Sequence, residues 1–123
     1  MARPRIRIRL LYGSRFVELL ALVDSGADDC IFPAEVAQDL GIPLDDERTM
    51  KYRGVGSGHI TAYFADIVID VGGTRFPLYA GFSDAPSVVP LLGQAGFFDR
   101  FEVRFNRPKE IVELKVIGPA GRT

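Results

Sequence analysis

"RIRIRLLY", residues 5–12, alternates Ile6, Ile8 and Leu10 with Arg5, Arg7 and Arg9. A repeat of two puts the apolar side chains on one face of a strand and the charges on the other; a helix, with its repeat of 3.6, would scatter them. Most of the chain is consistent with strands of this kind. Gly13-Ser14 reads as a turn into "RFVELLALV", a buried strand. "HITAYFADIVIDV" (59–71) is long enough for two strands or one bent strand, and Gly72-Gly73 turns it into "TRFPLYA" as a hairpin. "VVPLL" reads as a short apolar strand, and "FEVRFN" and "EIVELKVI" flank Arg107-Pro108-Lys109 as a closing hairpin. "PAEVAQDLGIP" breaks the habit. Pro33 suits a first helical turn, Val36, Ala37 and Leu40 share a face, and Gly41 with Pro43 stops the helix. "GQAGFFDR" allows a second short helix. Many short strands between turns predict a mostly-β barrel or sandwich, and 123 residues predict a single domain spanning 1–123.

Charge and composition narrow the function. A net charge of -1 gives no reason to expect nucleic acid or an anionic membrane surface as a partner. No apolar run nears the roughly 20 residues that span a bilayer, and the basic start alternates, unlike a secretion signal. The single cysteine, Cys30, can form neither an internal disulfide nor a zinc site. The expected location is cytoplasmic, and neither metal nor other cofactor is expected.

The stretch that carries chemistry is "ALVDSGADDCIFP" (21–33). A buried strand ends by delivering Asp24 into a Ser-Gly turn, with Asp28 and Asp29 just beyond. Placing carboxylates at the end of an apolar strand costs free energy unless something is gained. Gly26 allows a tight turn and leaves room beside the carboxylate, and the Ser25 hydroxyl can hold the loop. Asp24 could also be a turn residue bonding its own backbone, a common role for Asp before Ser-Gly. Asp28 and Asp29 could be solvated charges, and the trio lacks the alternating ligand spacing of a calcium loop. "GVGSG" could pass for a phosphate cradle, but no Lys-Ser/Thr follows it. His59, the only histidine, reads as a surface residue, and Cys30 as a small core residue.

"DSGADD" after an apolar strand resembles the active-site loop of the retroviral-type (retropepsin-like) aspartic proteases, whose pattern is Asp-Ser/Thr-Gly-Ala. "VVPLLGQAGFF" (88–98) resembles the family's apolar-apolar-Gly segment leading into a short helix, and "RGVGSGH" sits where the family carries a glycine-rich flap. The order of the three motifs makes the resemblance specific. It implies a small closed barrel of acid-protease type, one per subunit, with Asp24 catalytic and Ser25, Gly26 and Ala27 completing its loop. It implies that Asp28, Asp29 and the flap residues Gly54, Val55, Gly56, Ser57 and Gly58 bind substrate, with Leu91, Leu92 and Gly93 packing beside the site.

Such chemistry needs two carboxylates around one water, sharing a proton because like charges a few Å apart cannot both ionise. One chain carries one "DSG", so the resemblance implies a homodimer acting on a peptide or protein substrate. The terminal strands and the 101–117 segment are the expected interface. The competing reading is a dimeric binding or scaffold domain that keeps the fold without proteolysis. The pattern departs at Gln94, where retroviral members usually carry an arginine paired with a loop acid. Cellular and bacterial relatives often differ there.

Overall fold

The computed structural model describes residues 4–45, 48–53 and 59–117. The elements are β1 (Arg5–Tyr12), β2 (Arg15–Val23), β3 (Ile31–Pro33), α1 (Ala34–Leu40), β4 (Thr49–Arg53), β5 (His59–Val71), β6 (Thr74–Ser83), β7 (Leu91–Leu92), β8 (Phe101–Asn106) and β9 (Ile111–Val116). β1 buries Ile8 and Leu10 and exposes its three arginines, as the alternation requires. β5 is one strand, and its inward parity is Ile67, Ile69 and Val71 along its second half. Gly72 and Gly73 both hold positive φ, +58° and +93°, the backbone that a two-residue hairpin turn with right-handed strand twist demands.

β1 pairs with β2, β2 runs parallel to β7, β7 meets β3, β3 runs parallel to β6, and β6 pairs with β5. β5 then returns to β1, with Leu10 opposite Ile69. The circuit is thin between β7 and β3, where a single pair, Ile31 opposite Leu91, joins them. The mostly-β acid-protease fold class is the one observed. β4 lies outside the circuit on β5, and β8–β9 form a separate two-stranded sheet.

Several local expectations change. β3 and β4 did not stand out in the sequence: β3 has only three residues and runs directly into α1, and the polar–apolar alternation of "TMKYR" covers only five residues. "VVPLL" shortens to Leu91–Leu92, since Val89 is half-exposed and Pro90 has no N–H to donate. Pro33 sits just before α1 rather than inside its first turn, with φ -62° and an extended ψ of 144°. The expected stop holds, because Gly41 takes the left-handed conformation at φ 73° and its N–H bonds to Gln38 O. The second helix is a distorted turn, Gln94–Phe98, interrupted by non-helical Ala95 and Gly96.

The core fills the ring of strands. Phe32 and Phe82 have no solvent exposure, and their rings lie 6.0 Å apart. Phe97 is equally buried and packs at 5.2 Å on Phe101, tying the helical turn to β8. Phe82→Ala is expected to cost about 3–5 kcal/mol through lost transfer energy and a residual cavity. Urea unfolding checks this: the midpoint should fall while the m-value stays constant.

Candidate active site

β2 delivers Asp24 while its backbone is still held, since Asp24 N–H donates to Leu92 O at 3.0 Å. The chain then turns: Ala27 N–H donates to Asp24 O at 3.1 Å, and Gly26 N–H donates to Asp24 Oδ1 at 2.9 Å. A Cβ on Gly26 would stand 3.2 Å from that oxygen, so glycine lets the amide and carboxylate meet without crowding. Asp24 is half-buried; Ser25 and Gly26 are exposed.

A second segment clamps this loop from beneath. Gln94 N–H donates to Ala27 O and Ala95 N–H to Asp28 O, both at 2.9 Å. A Cβ on Gly93 would fall 2.4 Å from Asp29 O and 2.6 Å from Ala27 O, a space only hydrogen can occupy. Gln94 also donates through Nε2 to Ser25 O at 2.8 Å. The peptide group between Ser25 and Gly26 is therefore held at both ends: its carbonyl accepts from Gln94, and its N–H donates to Asp24. Sequence reasoning had marked Gln94 only as a departure; a neutral donor there bonds the loop backbone instead of forming an ion pair.

Cys30 anchors the far end of the loop. Its carbonyl accepts from Gly81 N–H at 2.9 Å, and its Sγ accepts from Gly93 N–H at 3.4 Å and donates to Ala95 O at 3.5 Å. Burial pushes its thiol up to about 11, against the opposing pull of the Gly93 amide; Asp29 and Asp99 add to the rise. The thiolate is thus disfavoured, which suits a packing residue. Cys30 is the small core residue expected, and it also closes the clamp.

Asp24 and Ser25 line a groove of about 550 Å³ together with Pro4, Arg5, Val23 and residues at the turn end of the β8–β9 hairpin, including Phe105, Arg107, Glu110 and Ile111. A larger hollow of about 650 Å³ lies along the hairpin among Glu102, Arg104, Glu113 and Lys115, and it holds none of the loop. The chemistry favours the smaller one. The structure thus brings together Asp24, Ser25, Gly26, Ala27, Leu91, Leu92 and Gly93. Asp28 and Asp29 follow in the same loop, Asp28 exposed and Asp29 half-buried. Gly54, Val55, Gly56, Ser57 and Gly58 lie outside the described residues. The groove's Arg5, Arg107 and Glu110 were not singled out by sequence, because only the fold brings them near residue 24. Among the described residues no cluster of His, Cys, Asp and Glu is arranged to hold a metal ion.

A sequence model of the aspartyl protease family matches residues 13–95, well over half of the chain. The chain belongs to that family, and its relatives in fold are of retropepsin type. The protease of EIAV, solved in complex with the inhibitor HBY-793, is similar over 75% of this chain and 82% of that one, with a TM-score of 0.52 and 23% sequence identity. At that identity the likeness speaks for the fold. No curated protein sequence matches this chain.

The clamp is directly testable. Gly93→Ala forces a methyl group into two backbone carbonyls, and overpacking of this kind costs about 1–3 kcal/mol or more. Thermal melting should fall by several degrees, with hydrogen-exchange protection lost first at Ala27–Cys30. An unchanged melting temperature would mean that the loop does not rest on Gly93.

Proposed function

We propose that this protein is an aspartic endopeptidase that hydrolyses extended peptide segments, with Asp24 of two identical chains holding one water between them. The observation that carries the reading is the built Asp24 turn, one carboxylate oxygen fixed by the Gly26 amide and the whole loop clamped by Gly93-Gln94-Ala95. It stands in a chain of the aspartyl protease family.

In this mechanism the ionised Asp24 takes a proton from the water, whose oxygen bonds to the scissile carbonyl carbon. The protonated Asp24 of the second chain gives its proton to the carbonyl oxygen. The resulting tetrahedral diol collapses: a diol hydroxyl returns a proton, the amide nitrogen takes a proton from a carboxyl group, and the C–N bond breaks. The products are a carboxylic acid and an amine, and the pair again shares one proton. Ser25, Gly26 and Ala27 hold the geometry. Asp28, Asp29 and residues 54–58 grip the substrate backbone, while Leu91, Leu92 and Gly93 support the loop. Each chain supplies one such turn, so the homodimer completes the site.

Digestion of a peptide library tests the assignment. Asp24→Asn should lower hydrolysis by at least about 100-fold, the contribution of a positioned acid–base group, with an unchanged circular dichroism spectrum. Glu110→Gln, the other acid lining the groove, should stay active. Excess Asp24→Asn chains should suppress wild type, because mixed dimers lack one acid. Full activity in Asp24→Asn overturns the protease; inactive wild type from acid to neutral pH favours the scaffold reading.

A further inference from the structure

Two guanidinium groups line the groove that holds Asp24, and both come from outside residues 13–95, the span matched by the family model. Arg5 begins β1, and Arg107 belongs to the turn between β8 and β9. The charge they bring to the site is this chain's own.

Each is held by backbone close to Asp24. Pro4 O accepts from Val23 N–H at 2.9 Å, and Arg5 stands opposite Leu22, two residues before Asp24. Alternation along β2 starts residue 24 on the side of Leu22, which is also the side of Arg5. Arg107 is presented by a stiff turn. Pro108 restricts the backbone of the residue before it. Lys109 N–H donates to Asn106 Oδ1 at 3.2 Å, and Glu110 N–H donates to Arg107 O at 3.1 Å. Glu110 itself holds a left-handed φ of 54°, uncommon for a residue with a Cβ.

The two cations are uncommitted. Arg9, Arg48 and Arg75 close on carboxylates at 2.9, 3.1 and 2.8 Å. Arg5 and Arg107 are exposed and form no ion pair among the described residues. Glu110 lines the same groove and offsets one of them at most. An Asp24 pair that shares one proton carries a single negative charge between two chains. Each groove therefore keeps an excess of positive charge. Its apolar lining includes Phe105 and Ile111, each 45% exposed.

We propose that Arg5 and Arg107 are specificity residues, selecting peptide segments that carry a glutamate or aspartate side chain beside an apolar residue near the scissile bond. This rests on the protease reading above and names its substrate class. A guanidinium fork matches a carboxylate with two parallel hydrogen bonds and stays charged at any working pH. Phe105 and Ile111 offer contact to the neighbouring apolar side chain. A glutamine in the same place keeps the shape and loses the charge, and a lysine there meets like charge.

Matched peptides test this with the full chain. They differ only by Glu or Gln at one position, which is walked along both sides of the cleaved bond. The assay is run at about pH 5.5, where a peptide glutamate is ionised. At the best position the wild type should cleave the Glu peptide with kcat/KM about tenfold higher, the worth of one charge-assisted hydrogen bond. The difference should lie chiefly in KM. Arg5→Gln and Arg107→Gln should each shrink that ratio, and the double variant should bring it to one. Arg107→Glu should reverse it, and Arg107→Lys, which keeps the charge without the fork, should retain part of it. Arg7→Gln, one step along the exposed face of β1 and outside the groove, should keep the wild-type ratio.

A wild-type ratio of one at every position overturns the inference while the protease stands. An equal loss in Arg7→Gln assigns the preference to the general surface charge and also overturns it. So does an Arg107→Gln chain that sediments as a monomer where wild type is a dimer, because the arginine then serves assembly. A wild type that cleaves neither peptide removes the protease reading, and this inference falls with it.

Discussion

The approach of Gly93 to the carbonyls of Ala27 and Asp29 is the contact on which the rest of the site depends. With a Cβ excluded at 2.4 Å, the 24–30 loop lies directly on the 93–95 backbone, and three hydrogen bonds from Gln94 and Ala95 lock the two together. Those bonds satisfy polar backbone groups that would otherwise be costly beneath an apolar strand end. They also explain the thin circuit of strands. β7 is two residues long because the chain must leave it at once to form the clamp, and its parallel pairing with β2 brings Leu92 O to Asp24 N–H.

Electrostatics follow from the same geometry. The neutral Gln94 amide reaches the Ser25 carbonyl, so the peptide group that donates to Asp24 Oδ1 is itself polarised from behind. Gln94 holds the loop without a charge of its own. The Cys30 thiol, kept protonated by burial, adds a weak donor and acceptor at the other end without a charge. In the proposed dimer this arrangement leaves the two carboxylates to set each other's proton sharing.

Much of this was legible in the sequence, for physical reasons. Alternation in "RIRIRLLY" identifies a half-buried strand because the arginines have nowhere to go but outward. "DSG" and "LLG" mark the two faces of the clamp because each glycine has a steric duty, one beside a carboxylate and the other against carbonyls. Residues joined only by the fold were not legible: Arg5 comes to Asp24 from β1, and Arg107 and Glu110 from the turn between β8 and β9. β3 escaped because parallel pairing to β6 makes it a strand without any alternation of its own. The Gln94 side-chain bond was invisible because its acceptor is a main-chain carbonyl, which no side-chain pattern reports.

The central claim is that one chain carries half of a site. Titration calorimetry with a non-cleavable peptide, bearing a tetrahedral hydroxyl in place of the scissile carbonyl, tests it most directly. The account predicts saturation at one peptide per two chains, with tight binding lost in Asp24→Asn. Saturation at one peptide per chain, on a protein that sediments as a monomer, would contradict it.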